Sequence, residues 1–322
     1  MISSLEIAKL CGISQGTVDR ALHGRPGVSA ETKRRVEEIA REYGYRPHPG
    51  AREMLTGKSA ILGALVPSMN GVFFMDFMQV VKTACDQYNL RMFITPVADH
   101  DEFLDALNEF AARRVAGVLA VPPSADVLVP EEIARTLRIA SLLGPTATPT
   151  IPLFAPDEVS TGADATAYLI GLGHTRIVHA TYRRRAQAIA DRTRGYEETM
   201  RTAGLTPRVT DDLDAQAWRR LLNEYRPTAV FCHNDRLALN VIRLVETEGL
   251  SVPRDLAVMG IDNSPTFEEF NTQLTTMTYP FDEIARKALR WIVDGVDERP
   301  ISRMPIVERR TTRMGAEASG KG

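Results

Sequence analysis

The sequence predicts a small all-α head followed by an α/β body of two lobes, each with a parallel sheet between two layers of helices. Residues 1–45 contain short apolar-periodic stretches and no strand-like alternation, which indicates helices only. From Ser59 onward, strand-length apolar runs alternate with amphipathic stretches of roughly 10–18 residues, a pattern typical of βαβ units. The 322 residues are also enough for about two domains.

Three short helices are predicted in the head. Apolar residues between positions 5 and 10 fit one face of a first helix, and Gly12 is placed to end it. Ser14 is placed to cap a second helix, and Ser29 is placed to cap a third. Two short helices joined by a glycine-containing turn, with a third packed across them, form a helix-turn-helix.

The second helix of this motif carries Gln15, Gly16, Asp19 and Arg20 on a face that fits the major groove of DNA. We expect Arg20 to contact a base, because a guanidinium donates two hydrogen bonds to guanine. On spacing alone, the alternative is a three-helix module that binds another protein and leaves these polar residues solvated.

Charge is unevenly distributed between the head and the body. Residues 1–60 hold ten Lys and Arg against seven Asp and Glu, a net charge of +3. Residues 61–322 hold 29 Lys and Arg against 34 Asp and Glu, a net charge of −5. A basic head on an acidic body is expected when one end of a protein binds a polyanion, although three charges alone do not decide the function.

Composition and motifs exclude several other classes of protein. Hydrophobic residues (44%) and charged residues (25%) fall in the ordinary globular range, which excludes disordered and fibrous proteins. No apolar run approaches the ~20 residues of a membrane helix, and the N-terminus lacks a signal-peptide pattern. We therefore expect a soluble, cytoplasmic protein with no membrane partner.

Neither a metal nor a cofactor is predicted. Cys11, Cys85 and Cys232 are too widely spaced for a disulfide framework or a zinc site, and the histidines also lack the spacing of metal ligands. The sequence contains no phosphate-binding loop, dinucleotide-binding turn or nucleophile motif. We therefore predict that the chain is not an enzyme.

Residues 46–58, in which Pro47, Pro49 and Gly50 resist a continued helix, predict a linker between a head at 1–45 and a body at 59–322. The strands of the body are predicted at 61–66, 91–95, 115–121, 139–143, 176–180, 229–232 and 256–261. Its helices are predicted around 75–88, 101–112, 130–138, 160–171, 186–203, 214–224, 235–248 and 281–294. A first lobe is assigned to 59–155 and 281–300, a second to 156–280 and 301–314, and a tail to 315–322.

The head carries a specific motif, LEIAKLCGISQGTVDRALHG, over residues 5–24. This run resembles the DNA-binding head of the LacI/GalR family of regulators, whose pattern is roughly D-V-A-x-x-A-G-V-S-x-x-T-V-S-R-x-L-N. The stretches RPGVSAETKRRV and YGYRP that follow match the family as well. The resemblance covers nearly the whole chain, and it implies a transcriptional repressor that binds a palindromic operator as a homodimer.

The resemblance also implies a set of DNA contacts in the head. Gln15, Gly16 and Arg20 align with positions that read bases, and Thr17 aligns with a phosphate contact. Ser14, at the start of the same helix, belongs to this set.

Three positions depart from the family pattern. Asp19 replaces a Ser, and because a carboxylate repels phosphate we expect it to accept from a cytosine amine or to pair with Arg20. Gly16 has no side chain that could read a base. His23 replaces an Asn at the end of the helix, and we interpret it as a cap or a phosphate contact.

The linker resembles the hinge helix of the family, in which a Leu from each subunit inserts into the minor groove at the centre of the operator. Met54 aligns with this Leu, and the neighbouring Leu55 is the other candidate. The alternative is a plain linker.

The body resembles the periplasmic sugar-binding fold that this family carries. The matching stretches are 62–67, 171–177, 192–196, 229–235, 258–263 and 274–280. The resemblance implies a small polar effector, a sugar or a derivative, bound between the lobes at the carboxyl ends of the strands. Purine bases are the other effectors that it implies.

Four residues of the second lobe align with ligand-binding positions of the family. A guanidinium at Arg192 and a carboxylate at Asp262 can bind vicinal hydroxyl groups when they face one cleft. Asn234 and Asp235 align with a third position, at the start of a helix. The alternatives are a strand-end turn for Asp262 and a capping or structural role for Asp235.

Four further residues are candidates for the ligand site. Ser68, Phe73 and Phe74 follow the first strand of the body, where the aromatic rings either stack on a ligand or belong to the core. Asp157 aligns with a residue that supports the cleft, and its direct contact with the ligand is left open. The run of arginines at 183–185 is interpreted as a solvated surface, with an anion site as the alternative.

These observations predict a ligand-responsive, dimeric, sequence-specific transcriptional repressor with a small polar effector between its lobes. The competing hypothesis is a cytoplasmic small-molecule-binding protein whose head is a protein-interaction module. Asp19, Gly16 and the modest charge of the head favour this alternative.

Overall fold

The computed structural model describes residues 2–22, 24–45, 59–67, 71–183, 186–268 and 273–313. The chain divides into two compact units, Met1–Ser59 and Ala60–Gly322. The predicted linker and tail lie outside the described residues.

The first unit contains three helices, α1 (Ser4–Cys11), α2 (Gln15–Leu22) and α3 (Ala30–Glu42). Helix α1 begins at a capping box, in which the side chains of Ser3 and Glu6 each accept a hydrogen bond from the other's backbone N–H. It ends at Gly12, whose φ of 67° lies in the left-handed region that favours glycine. The buried residues of this unit are Ile7, Ala8, Cys11, Val18, Ala21, Val36 and Ala40.

The first sheet of the second unit has five parallel strands. They are β1 (Ile61–Val66), β2 (Arg91–Pro96), β3 (Gly117–Ala120), β4 (Ile139–Leu142) and β5 (Leu153–Phe154), in the spatial order β2-β1-β3-β4-β5. The helices between them are α4 (Val72–Gln87), α5 (His100–Ala112) and α6 (Glu131–Thr136). Apolar side chains on the two faces of the sheet belong to two different buried cores, which is the reason its inner strands β1 and β3 are apolar throughout.

The second sheet has four parallel strands and forms the centre of the second lobe. They are β6 (Ile177–Ala180), β7 (Arg208–Thr210), β8 (Ala229–Cys232) and β9 (Ala257–Met259), in the spatial order β7-β6-β8-β9. Its helices are α7 (Glu158–Gly171), α8 (Gln187–Thr202), α9 (Ala215–Glu224), α10 (Asp235–Thr247) and α11 (Pro265–Glu268).

The last part of the chain contacts both lobes. Strand β10 (Thr276–Met277) pairs with β11 (Ile306–Val307) in an antiparallel ribbon, and Asp262 forms a bridge with Thr278 beside it. Helix α12 (Phe281–Asp294) packs against α4 and the first sheet.

This architecture confirms the predicted all-α head and the two-lobed α/β body with parallel sheets. The predicted strands at 61–66 and 229–232 and the helix at 281–294 have the observed bounds, whereas those at 115–121 and 256–261 are longer than β3 and β9. Four strands of two or three residues, β5, β7, β10 and β11, were not predicted, because so few residues give no periodicity. No helix in the described part of the chain is both long and apolar enough to span a membrane.

Candidate functional site

The predicted DNA contacts lie along the first two turns of α2. The Ser14 hydroxyl oxygen accepts a hydrogen bond from the backbone N–H of Thr17 at 3.2 Å and so caps the helix. Arg20 Nη2 donates to the hydroxyl oxygen of Thr17 at 3.2 Å, and Gln15 Nε2 donates to that of Ser4 at 2.9 Å. Gln15 and Arg20 are both exposed, so most of their polar atoms remain available to a partner.

Asp19 and Gly16 are the two residues of α2 that depart from the family pattern. Asp19 forms an ion pair with Arg25 Nη1 at 3.1 Å, a partner that sequence reasoning did not name. Gly16 has space around it, because a Cβ there would meet only the Ser14 hydroxyl oxygen within 4 Å, at 3.9 Å. Packing within the head therefore does not require glycine at this position. His23, Met54 and Leu55 lie outside the described residues.

Arg192 lies at the centre of the predicted ligand site and is 3% exposed. Its Nε and Nη2 atoms donate to Glu158 Oε2 at 2.9 and 2.6 Å, and its Nη1 donates to the backbone carbonyl of His233. Burial raises the pKa of the Glu158 carboxyl, and the guanidinium opposes this rise. The guanidinium therefore joins helices α7 and α8 to the carboxyl end of β8.

Two glycines allow this ion pair to form between α7 and α8. A Cβ on Gly162 would lie 2.1 Å from the carbonyl oxygen of Arg192, and one on Gly195 would lie 2.0 Å from that of Val159. Only glycine permits so close an approach of the two helix backbones. This approach brings Glu158, in the first turn of α7, next to Arg192.

Asp235 and Asp262 form a pair of buried carboxyl groups at the ends of β8 and β9. Asp235 Oδ1 accepts a hydrogen bond from the Thr276 hydroxyl at 2.6 Å, and burial raises the pKa of Asp235 to about 7. Burial, followed by the charge of Asp235, also raises the pKa of Asp262 well above its ordinary value. Asp262 has a φ of 127°, which is rare for a residue other than glycine and is often associated with functional sites.

The capping residue of α10 is Asn234. Its Oδ1 accepts hydrogen bonds from the backbone N–H of Leu237 and from the hydroxyl of Tyr182, both at 3.0 Å. The capping alternative for Asp235 is therefore wrong, and that residue is buried behind the cap instead.

Asp157 caps helix α7. Its Oδ1 accepts from the backbone N–H groups of Val159 and Ser160 at 3.0 and 3.2 Å. The hydroxyl of Ser160 donates to Oδ2 at 2.6 Å, and this bond lowers the pKa of the carboxyl. The structure thus gives Asp157 a supporting role for the element that carries Glu158.

Phe73 and Phe74 belong to an aromatic cluster. The ring centroid of Phe73 lies 5.4 Å from that of Phe74 and 5.0 Å from those of Tyr279 and Phe281. Both phenylalanines are partly buried against the core that contains α12, which agrees with the core alternative. Ser68 lies outside the described residues.

Three buried polar atoms of the second lobe have no hydrogen-bond partner among the described residues: His179 Nε2, Thr181 Oγ1 and His233 Nδ1. Burial lowers the pKa of His179 to about 3 and that of His233 well below its ordinary value, so both imidazoles are neutral. Such atoms are rare in folded proteins and are often satisfied by water or a ligand. No group of residues in the described ranges has the arrangement of a metal site.

Asp76 connects the two lobes beside this site. Its Oδ1 accepts from the Thr266 hydroxyl at 2.8 Å, and its Oδ2 accepts from the Ser264 hydroxyl. Sequence reasoning missed Asp76, as it missed Glu158 and Thr276, because their contacts depend on the tertiary fold and not on spacing.

Two sequence families match the chain. Residues 5–48 match the lacI family of bacterial regulatory proteins, and residues 166–313 match a periplasmic binding protein-like domain. The chain is 26% identical to catabolite control protein A of Priestia megaterium, over 93% of this chain and 94% of the relative. It is 27% identical to the transcriptional repressor CytR of Escherichia coli, over 90% and 88%, and 29% identical to the transcriptional regulator AglR of Rhizobium meliloti, over 95% and 93%.

Solved structures share the fold over nearly the whole chain. A lac repressor dimer bound to operator and the anti-inducer ONPF matches with a TM-score of 0.81 and 21% identity, over 97% of this chain and 99% of that chain. A complex of the transcriptional regulator CelR with cellobiose matches with a TM-score of 0.67 and 23% identity, over 97% and 100%. The curated relatives are regulators of transcription and not enzymes, which agrees with the prediction from the sequence.

Proposed function

Because this chain belongs to the LacI family of bacterial regulatory proteins, we propose that it is a ligand-responsive transcriptional repressor. It binds a palindromic operator as a homodimer through the head, and a small polar effector through the cleft between the lobes. The exposed Arg20 on the second helix of a capped helix-turn-helix is the observation that carries this proposal.

The surface of α2 supports direct reading of DNA. Arg20 reads a guanine, and Gln15 reads an adenine or a neighbouring base. Gly16 leaves room for the edge of the major groove, since nothing inside the head requires a glycine there. Ser14 and Thr17 contribute hydroxyl groups for phosphate contacts at the start of the helix. His23 follows the end of α2 and makes a further phosphate contact.

A homodimer is supported by apolar side chains at the edge of the first sheet. Met75 on α4 is 56% exposed and Phe93 on the edge strand β2 is 53% exposed. Val80 and Met92 on the same two elements are only partly buried. A second copy of the chain covers this face. Pairing places two linkers side by side, so that Met54 or Leu55 of each inserts into the minor groove.

The effector site uses the carboxyl ends of the strands of the second sheet. Asp262 accepts hydrogen bonds from hydroxyl groups of the effector, and Arg192 donates from N–H groups that Glu158 leaves free. Asn234 donates from its amide Nδ2, because its Oδ1 already accepts from Leu237 and Tyr182. The Nδ1 of His233, which has no hydrogen-bond partner among the described residues, offers one more polar atom to the effector. A neutral, hydroxyl-rich molecule such as a sugar fits this set of groups, and the structurally similar regulator CelR is solved as a complex with cellobiose. Ser68, which follows β1 in the sequence, contributes a hydroxyl group to the effector from the first lobe.

Regulation follows from the different affinity of the effector for two arrangements of the lobes. Any change between them alters the spacing of the two linkers, and hence the insertion of Met54 or Leu55 into the operator. Coupling of about 1–3 kcal/mol between effector and DNA is typical of such systems.

Selection of the purified protein on random double-stranded DNA, followed by sequencing, tests the proposed operator binding. An enriched palindrome with a flexible central step is the expected result, and its affinity should fall steeply with salt because phosphate contacts release counterions. The selection is run with and without a cell metabolite extract, which supplies a co-repressor if one is needed. Absence of enrichment in both arms, or a flat salt dependence, would favour the head as a protein-interaction module.

The effector site is tested with the selected DNA and a panel of sugars. Asp262→Asn should keep the affinity for the operator but lose the change in affinity that an active sugar causes in the wild type. Asp255→Asn is the matched control, because Asp255 is an exposed aspartate of the same lobe that pairs with Arg254. An unchanged sugar response in Asp262→Asn contradicts the proposed site.

A further inference from the structure

The second lobe has a groove between the edge strand β7 and helix α9, with a volume of about 410 Å³. Arg208 and Arg220 lie on its two sides, and Glu224 contributes a carboxylate. Val209, Leu221 and Tyr225 form the less polar part of its wall. The volume lies in the range of about 300–1,000 Å³ that is usual for small-molecule sites.

Arg208 and Arg220 line this groove with Tyr225, and Arg176 and Arg226 lie on neighbouring segments of the same lobe. Arg176 and Arg208 interact electrostatically with the Tyr225 hydroxyl, and Arg176 Nε donates to the backbone carbonyl of Arg226 at 2.6 Å. Arg220 lines the groove with Tyr225. None of these four guanidinium groups forms an ion pair with a carboxylate of the described residues.

Arg219, the residue next to Arg220 on α9, has a carboxylate partner. Arg219 forms an ion pair with Glu248 at 2.6 Å, on a different side of the helix from the groove. Arg219 is therefore neutralised by a carboxylate, whereas the adjacent Arg220 lines the groove without such a partner among the described residues. Gathering several unpaired positive charges is unfavourable unless solvent or an anion compensates them.

The groove is separate from the effector site. Arg176 directly precedes β6, Arg208 begins β7, and Arg226 lies shortly before β8, so all three lie at the amino ends of parallel strands. Asn234 and Asp262 follow the carboxyl ends of β8 and β9. The two groups of residues therefore lie at opposite edges of the second sheet.

We propose that the groove between β7 and α9 binds a small phosphorylated metabolite. The planar guanidinium groups of Arg208 and Arg220 each match two phosphate oxygens, a geometry that favours phosphate over singly charged halides. Arg176 adds positive charge close to Tyr225. The apolar part of the wall covers the organic part of the ligand, and Glu224 weakens binding by repelling the phosphate.

Titration calorimetry of the full-length protein with pyrophosphate, at constant ionic strength, tests this proposal. The double variant Arg208→Ala, Arg220→Ala should bind pyrophosphate about tenfold more weakly than the wild type, a loss of about 1.4 kcal/mol. Arg219→Ala, the matched control, should bind as the wild type does. Glu224→Gln should bind about threefold more tightly, since it removes the opposing charge.

Several outcomes would overturn the proposal. These are no binding of pyrophosphate by the wild type, equal binding by the wild type and the double variant, or equal losses in Arg219→Ala and the double variant. Loss of binding in Arg20→Ala with none in the double variant would assign the anion to the head instead. Operator binding by the double variant is measured in parallel, so that failure of this inference is distinguishable from failure of the proposed repressor function.

Discussion

The carboxylate of Asp76 accepts a hydrogen bond from the hydroxyl of Thr266 at 2.8 Å. This contact joins helix α4 of the first lobe to helix α11, which follows β9 in the second lobe. The buried hydroxyl of Ser264 donates to the other oxygen of the same carboxylate. Hydrogen bonds to a charged acceptor are stronger than neutral ones, so the Asp76 contacts stabilise the arrangement of the lobes in which they form.

We expect Asp76→Ala to separate the lobes in the absence of an effector. The variant loses two charge-assisted hydrogen bonds, each worth about 1.5–3 kcal/mol, so the radius of gyration measured by small-angle X-ray scattering should increase. Asp86→Ala is the control, because Asp86 lies on the same helix but forms only an exposed ion pair with Lys82. An unchanged radius in Asp76→Ala, or the same increase in both variants, would contradict a bridging role.

The sequence predicted the fold wherever an element is long enough to show a period. Helix α12 has the bounds that its periodicity predicts and strand β1 those of its apolar run, whereas β7 has three residues and shows neither pattern. The residues of the candidate site also divide into those that the sequence predicts and those that it does not. Arg192 and Asp262 are predicted as ligand-binding residues because each matches one position of a family motif.

The partners of these residues could not be found from the sequence. Glu158 contacts Arg192 only because Gly162 and Gly195 allow two helices to approach closely. Asp76 and Thr266 are separated by 190 residues, and no local pattern indicates that they meet. Contacts of this kind are set by the packing of whole elements and not by residue spacing.

Substitution of Arg20 tests base reading by α2. Arg20→Ala should weaken binding to the selected palindrome by about 1–3 kcal/mol for each half-site, while its affinity for random DNA changes little. Arg34→Ala is the control, since Arg34 is an exposed arginine of α3 that pairs with Glu38. Fluorescence anisotropy with labelled DNA measures both affinities. Equal losses on specific and random DNA would make Arg20 a phosphate contact instead.

Asp19 is expected to oppose DNA binding by the head. Asp19→Asn removes a negative charge near the phosphates and releases Arg25 from its ion pair, so the operator affinity should rise by about tenfold at low salt. The gain should shrink as the salt concentration increases, because both effects are electrostatic. A lower affinity with a changed operator preference would instead indicate that Asp19 reads a cytosine.

Loss of the buried partner of Arg192 should destabilise the body. Glu158→Gln leaves a guanidinium that is 3% exposed without a compensating charge, which typically costs about 3–5 kcal/mol of unfolding free energy. Glu308→Gln is the control, because Glu308 pairs with an exposed Arg313 and such pairs contribute about 1 kcal/mol or less. Urea denaturation of both variants gives the comparison. Similar small losses of unfolding free energy in the two variants would show that burial does not increase the contribution of the Arg192 ion pair to stability.

Burial of Asp235 should make the stability of the body depend on pH. The pKa of Asp235 is about 7 in the folded protein and 3.8 in its ordinary state, so the folded chain binds more protons than the unfolded chain between these values. The contribution of the Asp235 carboxyl to the free energy of unfolding has its full value below about pH 4 and falls as the pH rises towards 7.

Asp235→Asn removes this dependence, since its amide oxygen still accepts from Thr276 and the side chain cannot ionise. Relative to the wild type, the variant should gain on the order of 3 kcal/mol of unfolding free energy between about pH 4 and pH 7. Asp255→Asn should show no such change, because Arg254 lowers the pKa of Asp255 and its contribution is lost only as the pH falls below that window. Urea denaturation at a series of pH values measures these differences, and a constant difference between Asp235→Asn and the wild type would contradict a raised pKa at Asp235.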